Sequence, residues 1–305
     1  MNAHPARNAV FIVVAGVGLA VAAALTVLLL LREPPTAVVK TIPGFDEVRT
    51  IQYSFTVKNE RPDALSGSVL SLYAPVPDTS HQRVESITVS HEHQVRVDDV
   101  GNTVLDFLLP DLAPFESRII TVRARLSVSE ISRPHAVDAI ERYLASEPYV
   151  EIEHPALRRL AGAFSGREKA DLAEAAYRWV VGYLQAEDFI EDDRGALWAL
   201  ENRRGDCTEF MYLYMALARL HGIPVRGVGG YVVSESQVVR SPGYHNWAEI
   251  HVDGAWHVVD PLRRVFMSQQ ADYIALRIIK PPENSLLGVS HRYAYQGRGL
   301  AVTMN

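Results

Sequence analysis

The chain contains a single cysteine, Cys207, and the residues around it predict that it begins a helix. Asp206 before it is a good N-cap residue, and Glu209 completes a capping-box pattern. A thiol at a helix N-terminus faces unpaired backbone N–H groups and the positive end of the helix dipole, and both favour the thiolate. The same N–H groups can receive an oxyanion. Cys207 is therefore a candidate nucleophile.

A histidine and an aspartate further along the chain are predicted to lie side by side. His245 opens one predicted strand, Asp260 ends the next, and Asp253-Gly254 between them is a hairpin signal. A hairpin brings the start of its first strand beside the end of its second. The carboxylate of Asp260 would orient one ring nitrogen of His245 and leave the other facing a thiol. His245 could then take the proton of Cys207 and form a thiolate–imidazolium pair.

Each of these residues has a commoner role when it is taken alone. Buried cysteines mostly act as small hydrophobes, single histidines are usually structural, and an aspartate before proline, as in Asp260-Pro261, often belongs to a turn. A zinc site built from the same three side chains would need a fourth position and would leave the helix terminus unused. The combined placement favours catalysis, and the sequence indicates no cofactor and no metal site.

An α+β arrangement is predicted to position these residues. Apolar side chains recur at helical spacing after Cys207, in two rows that leave little polar surface, until Gly222 and Pro224 end the helix. Residues 130–204 have a mostly helical pattern before it, and strand patterns follow it. A buried helix that carries the cysteine would thus pack against an antiparallel sheet. The predicted strands are 225–233, 246–252, 256–259 and 273–279.

The N-terminal half shows two further patterns. Residues 45–128 alternate with period two between turn clusters, which predicts a small antiparallel β-sandwich. Ala9–Leu31 carries no charged residue and is long enough to span a bilayer, although a cleaved signal peptide is the competing interpretation. Arg7 precedes this segment, so the positive-inside rule places the N-terminus in the cytoplasm and the rest beyond the inner membrane, on the periplasmic side.

The resulting division of the chain has seven segments. The net charge of -6 gives no reason to expect nucleic-acid binding, and the composition does not indicate an oligomeric state. The predicted segments are a cytoplasmic tip (1–8), a transmembrane helix (9–31), a linker (32–44), a β-sandwich domain (45–128), a connecting segment (129–154), a catalytic domain (155–280) and a C-terminal tail (281–305).

Four motifs in this order resemble the transglutaminase-like superfamily, and the resemblance covers about residues 155–280. It implies a papain-like fold in which Cys207 is the nucleophile, His245 the base and Asp260 the orienting acid. The N-terminal layout is similar to that of bacterial membrane-anchored members. The family includes protein cross-linkers, proteases, amidases and inactive relatives, whose common chemistry is thiolate attack on an amide carbonyl. The motifs are Gly205–Phe210, Ala218–Arg226, His245–Ile250 and Trp256–Pro261.

The expected function is attack on an amide of a peptide or protein substrate, followed by hydrolysis or acyl transfer. A non-catalytic module of the cell envelope that binds a peptide or partner is the alternative, and rare use in maturing a neighbouring membrane protein is a weaker one. Tyr231, Tyr244 and Trp247 are candidate substrate-binding residues. The second oxyanion donor stays open between Trp198 and Tyr183, and Phe189 stands where many relatives carry a tyrosine.

Overall fold

The structure, a computed structural model, describes residues 44–164, 169–190 and 192–305. Within these ranges no helix has both the length and the apolar character needed to cross a membrane. The predicted transmembrane segment 9–31 and the tip 1–8 lie outside the described residues.

Along the described residues, strands come first, a mostly helical region follows, and strands come again after it. The helices are α1 (Pro155–Gly162), α2 (Lys169–Tyr183), α3 (Gly195–Asn202) and α4 (Cys207–Leu220). The strands are β1 (Glu47–Asn59), β2 (Val69–Ala74), β3 (Gln82–Val89), β4 (Gln94–Val97), β5 (Thr103–Leu108), β6 (Ser117–Val128), β7 (Gln185–Ala186), β8 (Arg204–Gly205), β9 (Val225–Val232), β10 (Gln237–Val238), β11 (Tyr244–Val252), β12 (Ala255–Asp260), β13 (Val265–Phe266), β14 (Tyr273–Ile278), β15 (Tyr293–Gln296) and β16 (Leu300–Met304).

Two sheets of the N-terminal part share one hydrophobic core. The first sheet has the order β10-β1-β6-β3, with β16 also paired to β1, and the second has the order β15-β2-β5-β4. The period-two pattern of β1 explains the shared core, because alternate side chains of a strand point to the same face. The inward set of β1 is fully buried and consists of Ile51, Tyr53, Phe55 and Val57.

The end of the chain returns to these two sheets. Strand β15 pairs antiparallel with β2, and β16 pairs antiparallel with β1. The segment 281–305, which the sequence pattern leaves as a tail, therefore completes sheets that begin before residue 75. Pairing over such a sequence distance leaves no local signal, because each short strand is specified by its partner rather than by its own pattern.

The helix that begins at Cys207 packs against the third sheet. This sheet has the order β13-β12-β11-β9-β14, and α4 contacts β9 and β11. Every residue of α4 from Thr208 to Arg219 is buried, as its two apolar rows predict. Helices α1, α2 and α3 cover the other sides of α4, so its core is shared with all three. Between residues 130 and 154, all of which the structure describes, the helical structure is a single 3₁₀ turn, so the α-helices of the predicted helical region 130–204 lie within 155–204.

Strand β9 lies closely between its two neighbours because it is rich in glycine. Gly230 pairs with His245 on one side and with Ala275 on the other. A Cβ atom at Gly230 would stand 2.0 Å from the carbonyl oxygen of Ile274, which no real contact allows. The absence of a side chain at Gly230 thus permits the close backbone approach beside the strand that carries His245.

Candidate active site

The N-terminus of α4 is built by a complete capping box. Asp206 accepts a hydrogen bond from the backbone N–H of Thr208 (2.8 Å), and Glu209 accepts one from the backbone N–H of Asp206 (3.1 Å). Gly205 permits this arrangement, since a Cβ there would lie 2.3 Å from the Cβ of Glu209. The predicted helix start is therefore confirmed, and Cys207 is its first residue. Unlike residues 208–219 of α4, Cys207 keeps some exposure, and it lines a cleft.

The hairpin of β11 and β12 brings His245 to Asp260. His245 Nε2 lies 2.6 Å from Asp260 Oδ2, and the aspartate side chain is almost fully buried. Two further donors hold this carboxylate: the hydroxyl of Tyr273 donates to Oδ2 (3.0 Å) and the backbone N–H of Arg263 donates to Oδ1 (3.0 Å). Because Nε2 is engaged, Nδ1 is the ring nitrogen left for the thiol.

The charge state of His245 reflects these neighbours. Burial by itself lowers the pKa of His245, but hydrogen bonds to Asp260 and Cys207 and their negative charges outweigh burial and raise that pKa to about 9. The ring is therefore an imidazolium at neutral pH when both neighbours are anionic. Cys207 and His245 thus line the same cleft, and Asp260 is bonded to His245 without lining it.

Two buried aromatic residues support the histidine from behind. Trp247 is parallel to the His245 ring, with centroids 6.5 Å apart, and it meets Tyr273 edge-on at 5.1 Å. Trp247 is fully buried and absent from the cleft lining, and Tyr231 is buried in the core of the N-terminal sheets. The placement of Trp247 and Tyr231 does not support the substrate contact that the sequence predicts for them. Tyr244 does line the cleft.

The cleft has a volume of about 1040 Å³ and opens to solvent. Neither sequence candidate for the second oxyanion donor lines it. The hydroxyl of Tyr183 donates to the carbonyl of Leu200 (2.7 Å), and Trp198 lies beneath the guanidinium of Arg194. Phe189 does line the cleft and is 76% exposed, but its ring offers no donor. Among the described ranges, no group of three or more His, Cys, Asp or Glu side chains could hold a metal ion.

Sequence reasoning missed one wall of the cleft. Residues 288–293 and Arg277 form this wall. Tyr273, which holds the Asp260 carboxylate, was also missed, although it lies thirteen residues downstream on the last strand of the same sheet. The residues around Tyr273 do not distinguish it from an ordinary core tyrosine. Its contact with Asp260 could be predicted only from the order of the strands in the sheet.

Three comparisons place this arrangement among known proteins. The fold is similar to that of a candidate cysteine protease from Cytophaga hutchinsonii, with a TM-score of 0.58 at 13% identity over 85% of this chain and 91% of that one. The periplasmic domain of TgpA from Pseudomonas aeruginosa matches with a TM-score of 0.42 at 16% identity, over 69% of this chain and 87% of that one. The sequence is 25% identical to the uncharacterized protein ML0607 of Mycobacterium leprae over 217 residues, which are 64% of this chain and 74% of the relative.

The likeness to the Cytophaga protein shows a shared fold. Residues 158–261 match the family model of the transglutaminase-like superfamily, and this range contains Cys207, His245 and Asp260. The chain therefore contains a transglutaminase-like domain at residues 158–261.

Replacing Asp260 with asparagine is expected to slow alkylation of Cys207 at pH 6 about tenfold, the effect of losing one charge-assisted hydrogen bond. The amide oxygen of asparagine can still accept from His245 Nε2, but the negative charge that helps to raise the pKa of His245 is gone. The ion pair between His245 and the thiolate of Cys207 therefore weakens, while the imidazole ring stays in place. The rate of iodoacetamide labelling between pH 5 and pH 9 measures the effect. An unchanged profile would contradict the orienting role of Asp260.

Proposed function

We propose that the chain is a cysteine enzyme that attacks an amide carbonyl of a peptide or protein through a thioester intermediate. The observation that carries the proposal is the short hydrogen bond between His245 and Asp260, with His245 and Cys207, the first residue of α4, both lining one cleft. This geometry provides a nucleophile, a proton acceptor and an orienting carboxylate within one site.

The reaction can be followed atom by atom at these side chains. The thiolate of Cys207 forms a bond to the carbonyl carbon of the amide, and the imidazolium of His245 gives its proton to the departing amine as the C–N bond breaks. In the second step His245 accepts a proton from water or from an amine as it attacks the same carbon, and the C–S bond of the thioester breaks, which returns the thiolate of Cys207 and the imidazolium of His245. Water gives hydrolysis, and an amine gives acyl transfer.

The helix terminus supports the charge that develops on the carbonyl oxygen. The N–H of Cys207 belongs to the first residue of α4 and so has no acceptor within the helix. It lies next to the sulfur, where the oxyanion forms, and the helix dipole adds positive potential there. We assign it as the first oxyanion donor.

A covalent trap tests the proposal without knowledge of the natural substrate. The full-length chain is treated with a peptidyl acyloxymethyl ketone, and the adduct is located by mass spectrometry of peptides. We expect one adduct, at Cys207, and no adduct in Cys207→Ala, with the two proteins giving the same circular dichroism and melting temperature. A folded wild-type protein that forms no adduct at Cys207 would favour the non-catalytic binding module instead.

A second measurement separates the two outcomes of the thioester. Casein is incubated with the protein and a biotinylated pentylamine, and both amine incorporation and new peptide termini are counted. Hydrolysis gives termini alone, and acyl transfer gives incorporation. Cys207→Ala is expected to give neither. Product that persists in this variant would place the chemistry on another residue.

We further propose that residues 9–31 anchor the chain in the inner membrane with the catalytic domain on the periplasmic side. The support is the uncharged apolar segment preceded by Arg7. Extraction of membranes with alkaline carbonate is expected to leave the full-length chain in the pellet and to release a variant that lacks 9–31. A reporter active only outside the cytoplasm, fused after residue 305, tests the orientation. Release of the full-length chain would contradict anchoring.

A further inference from the structure

The part of the cleft wall that includes residues 288–293 and Arg277 carries two arginines without an ion-pair partner among the described residues. Arg277 lies on β14, and Arg292 precedes β15. Within the described part of the chain, no carboxylate oxygen lies within 4.0 Å of either guanidinium. Both residues line the cleft that contains Cys207.

Arg277 is built into this wall. It is 5% exposed, Nη1 donates to the carbonyl oxygen of Ser290 (2.8 Å), and the buried Nε has no hydrogen-bond partner among the described residues. A buried guanidinium without a carboxylate is costly unless a ligand supplies the missing acceptor. Nη2 makes no hydrogen bond to a described residue either and is not sealed from solvent. Arg277 therefore has donors left for an anion in the cleft.

Arg292 lies on the same side and is fixed by neutral partners. Its Nη1 donates to the backbone and hydroxyl oxygens of Ser241, and its guanidinium lies 5.5 Å from the ring centroid of Tyr244. The hydroxyl of Tyr244 in turn donates to the carbonyl of His291 (3.0 Å). The two arginines thus flank one tyrosine of the cleft.

Neighbouring groups respond to this positive wall. Burial lowers the pKa of His291 and the charges of Arg277 and Arg292 lower it further, to about 4, so this ring is neutral at pH 7. Burial raises the pKa of Tyr244 to about 12 although both arginines oppose the rise, and Cys207 adds to it. The pKa of the Tyr244 hydroxyl therefore responds to the charges of both arginines and of Cys207.

The acidic residues of the cleft are mostly engaged elsewhere. Glu147 pairs with Arg219, and Glu187 pairs with Arg194 and Arg204. Asp206 caps α4, and Asp193 accepts from the hydroxyl of Tyr212 (2.9 Å) and lies 3.5 Å from Nε2 of His291. Burial raises the pKa of Asp193, and the charge of Arg277 opposes that rise without an ion pair between the two. Asp192 is exposed at the rim. Lys280, the remaining cation of the lining, is bound to Asp98 and Asp99.

We propose that Arg277 and Arg292 form an anion subsite that selects amide substrates carrying a carboxylate close to the amide that is cleaved. The inference rests on the proposed function of Cys207, because it assigns a specificity to the same cleft. A carboxylate pairs with an arginine through charge-assisted, often bidentate hydrogen bonds, which an amide of the same shape cannot replace. The carboxylate could belong to an acidic side chain or to a peptide C-terminus.

Matched electrophiles test the subsite without a known substrate. Bromoacetyl-glycine is compared with bromoacetyl-glycinamide for a terminal carboxylate, and bromoacetyl-aspartate amide with bromoacetyl-asparagine amide for a side-chain carboxylate. In each reaction Cys207 forms an S–C bond and bromide leaves. We expect Cys207 to prefer the acidic member of at least one pair, and Arg277→Gln to reduce that preference about tenfold, the effect of losing one charge-assisted hydrogen bond. The pair that responds identifies the source of the carboxylate.

Three further variants complete the test. Arg292→Gln is expected to reduce the preference in the same direction, Arg277→Lys to keep part of it, and the exposed Arg298→Gln, which removes an equal charge outside the cleft lining, to leave it unchanged. If Arg277→Gln does not fold, the preferences of Arg292→Gln and Arg277→Lys test the subsite in its place.

The two proposals fail in different ways. Poor reaction of wild-type Cys207 with the neutral probes at pH 7 would overturn the proposed function itself. Normal reaction with the neutral probes, combined with no change of preference in the arginine variants, would overturn the subsite alone.

Discussion

Alkylation of Cys207 by iodoacetamide at pH 6 is expected to be about two orders of magnitude slower in His245→Gln than in the wild type. An unpaired thiol with the ordinary cysteine pKa of about 8.5 is less than about 1% thiolate at that pH. In the wild type the imidazolium of His245 stabilises the thiolate, because the pKa of His245 is raised to about 9 and the ring keeps its proton at pH 6. The reaction rate at Cys207 from pH 5 to pH 10 is the measurement.

The raised pKa of His245 also predicts how the reaction at Cys207 depends on the charge of the reagent. As the pH rises through about 9, His245 loses its proton and with it the positive charge that attracts an anionic reagent. Reaction with the anionic reagent iodoacetate should then fall relative to reaction with neutral iodoacetamide, and this step should be absent in His245→Gln.

The control for this pair of measurements is another histidine of the same sheet. His257 lies on β12 but does not line the cleft, so His257→Gln should keep the wild-type profile. Rapid labelling of Cys207 at pH 6 in His245→Gln would show that the ring does not activate the sulfur.

Replacing Glu249 with glutamine is expected to lower the free energy of unfolding by about 3–5 kcal/mol, the usual effect of removing one member of a buried ion pair. Glu249 is fully buried, and its Oε2 accepts from Nε (2.9 Å) and Nη2 (2.7 Å) of Arg226, which is 4% exposed. Burial by itself raises the pKa of Glu249, but the charges of Arg226 and His81 hold that pKa below its usual range. Glutamine would leave the guanidinium buried without a counter-charge.

Urea unfolding followed by circular dichroism measures this loss. Glu174→Gln is the matched control, because Glu174 pairs with Arg178 on the exposed face of α2, where such a pair contributes about 0.5 kcal/mol or less. The double variant Glu249→Leu with Arg226→Met should recover much of the stability, since it removes both charges. A loss in Glu249→Gln no larger than in Glu174→Gln would mean that water reaches the pair.

The candidate active site could be predicted from sequence to the extent that it rests on local signals. Cys207 follows an N-cap aspartate, and His245 and Asp260 flank a short hairpin, so neighbouring residues specify both placements. The interpretation of Trp247 failed for a related reason. It lies two residues from His245, on the same face of β11, and an aromatic ring behind a catalytic histidine has the same sequence pattern as one in front of it.

The parts that could not be predicted depend on distant partners. His81 comes from the N-terminal sheets and lies 3.6 Å from Glu249, and Arg277 reaches the cleft only because β14 pairs with β9. Neither contact follows from periodicity, which specifies the buried face of a strand but not its neighbour. The return of residues 293–304 to β1 and β2 is a contact of the same kind.

The pairing of β1 with β16 also bears on how the protein is made. Residues 55–59 pair with residues 300–304, which are synthesised much later, so this edge of β1 stays unpaired until they emerge from the ribosome. Contacts of such long range slow the final stage of folding, and an unpaired edge of β1 can meanwhile join another nascent chain. Protection of that edge by a chaperone would therefore raise the yield of native protein. Premature pairing of the edge with a second copy of the chain would lower it.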